Sequence, residues 1–178
     1  MDAKAHQNPR QPAPELLAQL FERHAAALVL YARQLCACPE DVVQEAFIQL
    51  ANQRETPQET SAWLYRVVRN RALNAARDAG RRRKLNAVWT PSGDGWFVEN
   101  HASRIDGEAA ANALSCLDQQ SREVVVAHVW GGMTFAEIGR LLDVSDSTAH
   151  RRYQEALGAL RQKLGEACTV NSPRNSQL

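Results

Sequence analysis

One stretch restricts the folds open to this chain more than any other. Between residues 114 and 164 the sequence centres on Thr134-Phe-Ala-Glu-Ile-Gly-Arg-Leu-Leu-Asp-Val-Ser-Asp-Ser-Thr-Ala-His-Arg-Arg-Tyr153. Thr134 followed three residues later by Glu137 is a capping box: the threonine oxygen takes one orphan backbone N–H and the glutamate another, which predicts a helix start. Asp143 and Val144 read as its exit. Ser145, with Asp146 in the next turn, is a second N-cap, and Ala149, Tyr153, Ala156, Leu157, Leu160 and Leu164 keep helical spacing for about five turns. Two helices therefore meet at a tight turn. Ile138, Leu141, Leu142 and Val144 supply the apolar side of the first helix and the corner, whereas His150, Arg151 and Gln154 fall on the side of the second that the apolar stripe leaves free. The pattern is a helix-turn-helix with a polar, cationic face. A plain helical hairpin with a solvated basic face shares this spacing. The position of the cations, in the first two turns of the second helix where base edges would be met, favours the nucleic-acid reading.

The rest of the chain narrows the function classes. At 178 residues it holds one domain or two small ones, and 44% hydrophobic residues with only 6% aromatic favour helices. The longest clear apolar run, residues 25–32, falls short of the roughly 18 residues that span a bilayer. The first ten residues lack the apolar core of a signal peptide, so a cytoplasmic protein is expected. Cys36, Cys38, Cys116 and Cys168 form neither a CxxC pair nor a zinc-finger spacing. Cys36-Ala-Cys38 reads as a redox or metal site or as two small thiols at a helix junction; the second reading is preferred, and no metal or other function is assigned to the cysteines. No nucleophile stands beside a base and an orienting acid, and no glycine-rich phosphate loop occurs. The sequence thus points away from an enzyme, a cofactor and a small-molecule substrate.

A net charge of +1 looks unpromising for a nucleic-acid binder until it is mapped along the chain. From 66 to 84, Arg66, Arg69, Arg71, Arg77, Arg81, Arg82, Arg83 and Lys84 stand against Asp78 alone. From 40 to 59, Glu40, Asp41, Glu45, Glu55 and Glu59 stand against Arg54. The near-neutral total conceals two opposite faces. Such a chain is able to close on itself with the acidic face against the arginine helix, in which case its compactness would respond to salt.

In chain order, residues 1–14 hold Pro9, Pro12 and Pro14 among polar residues and are expected to be a disordered arm. Leu16, Leu17, Leu20, Phe21, His24, Leu28, Tyr31 and Leu35 then keep helical spacing, predicting a long helix with this face inward and His24 as a core or boundary residue. Pro39 opens a second helix, with Glu40 and Asp41 at the positive end of its dipole. Val43, Ala46, Phe47 and Leu50 face its core side. Asp41, Gln44 and Glu45 lie together on another face, either a surface for a basic partner or simply acids favourable in a first turn. A polar loop broken by Pro57 follows, and Ser61 opens a third helix with Trp63, Leu64, Val67, Val68 and Leu73 inside and the arginines outside, ending near Gly80. That density of cations favours a phosphate-binding surface over a solvated terminus. Residues 85–107 read as a flexible linker, in which Trp89, Trp96 and Phe97 either dock on a domain or sit in a partner's channel. Residues 105–117 and 118–130 make two more helices, and residues 166–178 a disordered tail.

This arrangement resembles the extracytoplasmic-function (ECF) sigma factors of bacterial RNA polymerase. The residues that carry the likeness are Pro39-Glu-Asp-Val-Val-Gln-Glu-Ala-Phe47, Ala62-Trp-Leu-Tyr-Arg-Val-Val-Arg-Asn70 with the basic run after it, Leu117-Asp-Gln-Gln-Ser-Arg-Glu-Val-Val125, Thr134-Phe-Ala-Glu-Ile-Gly139, and Val144-Ser-Asp-Ser-Thr-Ala-His-Arg-Arg152. They form two blocks in family order. Four positions depart from the usual pattern: Ser147 stands for a common glycine, Ala149 for valine, His150 for a lysine or arginine, and Asn74 for a frequent aspartate. His150 matters most, because a partly neutral imidazole weakens the salt-dependent part of DNA binding.

The resemblance implies an all-α chain of two small helical domains, a region-two bundle over 15–84 and a region-four helix-turn-helix over 108–165. Asp41, Gln44 and Glu45 match the motif that meets the clamp helices of the polymerase largest subunit, and region four would meet the flap of the second-largest. Arg66, Arg69, Asn70, Arg77, Arg81, Arg82 and Arg83 become contacts to the melted −10 strand, with residues 53–60 as the loop that pockets a flipped base. His150, Arg151 and Gln154 become readers of the −35 element, with Ser145, Ser147, Thr148 and Arg152 near them or near phosphates. Core polymerase, promoter DNA and an anti-sigma protein are the implied partners. The competing reading is an autonomous helix-turn-helix regulator that dimerises through its first block and binds palindromic sites without polymerase.

Overall fold

The computed structural model describes residues 12–85 and 114–170, and over these residues the chain is helical with no strand. The expected arm before residue 12, the linker with Trp89, Trp96 and Phe97, the helix over 105–113 and the tail beyond 170 lie outside the described residues. Among the described residues six helices follow in order: α1 (Pro14–Arg33), α2 (Pro39–Ala51), α3 (Thr60–Leu85), α4 (Gln119–Val129), α5 (Phe135–Leu142) and α6 (Asp146–Val170).

The first three pack into one bundle, each touching the other two. Proline stands in the first turn of both α1 and α2, where its missing N–H is no loss. Leu28, Tyr31, Val43, Ala46, Leu50, Leu64, Tyr65 and Val68 are buried between them. Phe21, placed on the inward stripe by its spacing, is instead 51% exposed, its ring resting edge-on against Phe47 of α2 with centroids 5.0 Å apart.

α4, α5 and α6 form the second bundle. Asp118 caps α4, its carboxylate accepting from the Gln120 and Ser121 amides at 2.9 and 3.1 Å, and the Ser121 hydroxyl, donating to Oδ2, and after it these amides hold its carboxyl below the usual carboxylate range. The expected capping box is present at α5: the Glu137 amide donates to Thr134 Oγ1 at 3.3 Å and the Thr134 amide to Glu137 Oε2 at 2.7 Å. α5 leaves through Asp143 in the left-handed region (φ 58°), and Ser145 Oγ accepts from the Thr148 amide at 3.1 Å to start α6. Gly139 makes the corner possible, since a Cβ there would lie 2.8 Å from the Val144 carbonyl oxygen.

Two boundaries differ from expectation. α3 does not stop at Gly80 but runs on to Leu85, taking the first residue assigned to the linker. Gly80 is solvent-exposed, and its alanine and arginine neighbours are strong helix formers that outweigh one glycine. Likewise Gly165 does not end α6, so residues 166–170, assigned to the tail, are helical.

The bundles also pack on each other, α4 against α1 and α5 against α3. One apolar cluster runs from Leu28, Tyr31 and Tyr65 through to Val124, Ala127, Met133 and Ile138. A smaller cluster of Leu114, Leu117, Val125 and Ala156 belongs to the second bundle alone. The acidic and arginine-rich segments do meet, but inside the first bundle, where Arg71 bonds Glu45 and donates to Gln49 at 3.2 Å. Closure of one bundle on the other takes one residue from each segment, Arg69 and Glu59, and pairs them with Glu123 and Arg140 of the second bundle.

Candidate functional site

Three surfaces collect the residues singled out by sequence. On α2, Asp41, Gln44 and Glu45 are all exposed on one side, and the opposite side buries Val42, Val43, Ala46 and Leu50. Beside them Ile48 is 53% exposed, an apolar spot within an acidic and amide face. Glu45 is engaged by Arg71, so this face is ionically tied to α3.

On α3 the arginines divide. Arg66, Asn70, Arg77, Arg81 and Arg82 are exposed, with Arg77 donating to Asn74 Oδ1 at 3.1 Å and Arg81 paired to Asp78 one turn back. The Arg83 side chain lies outside the described residues. Arg69 behaves differently. Its Nε–H donates at 2.8 Å to Glu123 Oε2 on α4, and the same oxygen receives the Tyr31 hydroxyl at 2.8 Å. Glu123 is 1% exposed, its other oxygen taking the Gln119 amide at 3.2 Å. Burial works to lower the Arg69 pKa, but the Glu123 carboxylate outweighs it and the net shift is upward. Burial first, and the adjoining carboxylate second, push the Tyr31 phenol well above its ordinary range. The loop before α3 is braced by the Thr60 hydroxyl on the Pro57 carbonyl at 2.6 Å, and its Glu59 meets Arg140 of α5 at 3.2 Å.

On α6, His150, Arg151 and Gln154 are exposed together in the first turns, with Ser145 and Ser147 at the helix entrance and Thr148 half-buried beside them. Arg151 donates to Glu155 at 2.8 Å, a pair with both side chains about 60% in solvent and therefore a weak constraint. His150 and Gln154 lie 3.4 Å apart, and the imidazole stands edge-on to Phe135 at 4.9 Å. Below it Phe135, His128 and Tyr153 form an aromatic cluster that anchors α6 on α4 and α5. Arg152 does not share the exposed face: it is half-buried, and its Nη1 is enclosed without a hydrogen-bond partner among the described residues.

Sequence reading did not single out Glu123, Arg140 or Tyr65. Glu123 had a visible signal, an acid directly before the apolar run Val124-Val-Val-Ala127 on a short helix. Its partners Tyr31 and Arg69 lie 92 and 54 residues away, which no local pattern connects. Among the described residues no group of three or more histidine, cysteine or acidic side chains could hold a metal ion. No described helix is long and apolar enough to cross a membrane. Cys36 is half-buried at the α1–α2 junction, and burial lifts its thiol to about 11.

Two family models match the chain, Sigma-70 region 2 over residues 20–82 and Sigma-70 region 4 over 113–162. An ECF RNA polymerase sigma factor, SigL of Mycobacterium tuberculosis, is 30% identical over 162 residues, covering 85% of this chain and 90% of SigL. The RNA polymerase sigma factor CarQ of Myxococcus xanthus is 28% identical, covering 88% of this chain and 94% of CarQ. Among solved structures, CnrH in complex with the cytosolic domain of CnrY matches with TM-score 0.55 and 26% identity over 90% of this chain and 92% of that one. The sigma factor RpoE, in complex with the anti-sigma factor NepR from Bartonella quintana, shares the fold with TM-score 0.71 and 20% identity over 86% of this chain and 98% of that one.

Proposed function

Since the chain belongs to the ECF RNA polymerase sigma factors, we propose a division of its labour among three surfaces. Asp41, Gln44 and Glu45 bind the clamp helices of the polymerase largest subunit, with Ile48 as the apolar centre of the contact, and the second bundle meets the flap of the second-largest subunit. Arg66, Arg69, Asn70, Arg77, Arg81, Arg82 and Arg83 hold the non-template strand of the −10 element, and loop 53–60 takes a flipped base. Unstacking a base costs a few kcal/mol, so the melted state needs both a pocket and cations along the strand. His150, Arg151 and Gln154 read base edges of the −35 element in the major groove. Ser145, Ser147, Thr148 and the start of α6 lie toward phosphates, with Arg152 set deeper to brace the helix.

The observation that carries this reading is the presence in one chain, in family order, of an exposed acid and amide face, an arginine helix and a helix-turn-helix whose polar face points to solvent. The autonomous dimeric regulator finds no support among the relatives. The chemistry of transcription belongs to the polymerase, so this chain carries no catalytic centre, cofactor or small-molecule substrate, and it works in the cytoplasm where polymerase is. An anti-sigma protein is its expected antagonist: the sigma factor RpoE, which shares the fold, is held in complex with the anti-sigma factor NepR, and CnrH with the cytosolic domain of CnrY.

Co-purification with core polymerase tests the assignment. Asp41→Ala with Glu45→Ala should lose core while keeping a −35 duplex, and Arg151→Ala should do the reverse. Equal loss of core binding by both variants would refute the division.

A further inference from the structure

Glu123 is the most completely buried charge among the described residues, and two of its three hydrogen-bond donors come from the other bundle. A carboxylate enclosed in this way is tolerated only when a cation and donors satisfy it. Arg69 and Tyr31 do so here. The surroundings are shaped for the contact. Tyr31 and Tyr65 stand edge to face at 5.2 Å. Gly131 of the second bundle lies so close to Tyr65 that a Cβ there would come within 2.5 Å of the phenol oxygen. At the periphery Glu59 and Arg140 add an ion pair at 3.2 Å.

Both contacts engage the parts assigned to promoter melting. Arg69 belongs to the arginine helix, and Glu59 to the loop that would take a flipped base. The other two surfaces stay open, since Asp41, Gln44, His150, Arg151 and Gln154 are all exposed. We propose that Glu123 is an intramolecular stand-in for a strand phosphate: it occupies Arg69 in the free chain, so the closed form can meet polymerase and a −35 duplex but withholds Arg69 and the Glu59 loop from the −10 strand until the bundles separate. The inference rests on the assignment of Arg69 to the −10 strand. Because the Glu123 pair is buried, salt should loosen this closure far less than it would a contact between exposed charged faces.

The test compares the full chain with Glu123→Gln and, as a surface variant that leaves the shared core alone, Arg140→Glu. Circular dichroism verifies that each is folded. Small-angle scattering reads compactness at low and high salt, and anisotropy reads binding of a single-stranded non-template −10 oligonucleotide and of a −35 duplex. The expected result is a wild-type radius of gyration unchanged by salt, a larger one for Glu123→Gln, and oligonucleotide binding tightened by about tenfold if the open fraction of wild type is near one in ten. Arg140→Glu should move the same way by less, and −35 duplex binding should not change. Wild-type compactness retained by both folded variants would overturn the latch. Expansion without any gain for the oligonucleotide would leave the latch standing and refute the −10 role of Arg69.

Discussion

The two cationic faces of this sigma factor are held in opposite ways. On α6 the proposed readers His150, Arg151 and Gln154 stand in solvent on a helix fixed from beneath by Phe135, His128 and Tyr153, and among the described residues their hydrogen bonds are to one another or to exposed Glu155. On α3 two of the six arginines with described side chains are tied across to other helices, Arg69 to Glu123 of α4 and Arg71 to Glu45 of α2, and Arg77 and Arg81 pair within the helix with Asn74 and Asp78. A duplex offers its base edges ready-made, so a rigid, uncommitted face can read it at once. A melted strand exists only after opening, so the groups that hold it gain from having a prior partner to exchange.

The largest expected effect falls on the committed side. Arg69→Ala would leave Glu123 buried without its cation, which costs about 3–5 kcal/mol when a buried pair loses one partner. The thermal midpoint should drop sharply, whereas Arg66→Ala, on the exposed face, should leave it almost unmoved. Similar midpoints for the two variants would break the contrast.

The polymerase face should respond next. Asp41→Ala with Glu45→Ala should weaken core binding by about 2 kcal/mol or more, measured by competition with a reference sigma factor, without altering the fold. Loss of Glu45 also removes the carboxylate that Arg71 bonds, so helical content is the control that separates a docking defect from an α2–α3 defect.

On the uncommitted side, Arg151→Ala should lose about 1–3 kcal/mol of discrimination between −35 variants and almost no stability, because its partner is an exposed acid. A large fall in melting temperature would mean that α6 is not the free face described here.

The smallest effect belongs to the caps. Thr134→Ala removes the hydroxyl half of the capping box, leaving the residue-134 amide on the Glu137 carboxylate, and should cost about 1 kcal/mol. The Thr134 hydroxyl and amide hold the Glu137 carboxyl below its ordinary value. Its folded pKa being depressed, the stabilisation is present above the unfolded value of about 4.3 and is lost as pH falls through the folded one. Acid unfolding of Thr134→Ala should therefore show a shallower loss of stability below that pH than wild type.

Local chemistry made much of this architecture legible. The capping box at Thr134, the Ser145 N-cap and the prolines opening α1 and α2 each act within one turn, and each lies where spacing put it. A single glycine does not end a helix here: α3 runs past Gly80, where its end is expected, and α6 through Gly165 into the expected tail, because their neighbours carry the helix onward. The three surfaces were visible as charge and spacing on single helices. What lay beyond sequence was the join between bundles, where Glu123, Tyr31 and Arg69 meet across long separations and where Gly131 admits Tyr65. No periodicity reports such a contact, and the attraction expected between acidic and basic segments was spent inside the first bundle instead.

The central claim is that this chain opens promoters only as part of polymerase, and a permanganate footprint on a promoter library tests it most directly. Reactive thymines that appear in a −10 element only when chain and core are both present, at a fixed distance from an upstream −35 element, are the predicted result. Protection of a palindromic site by a dimer of the chain alone, with no unpaired thymines on adding core, would contradict it.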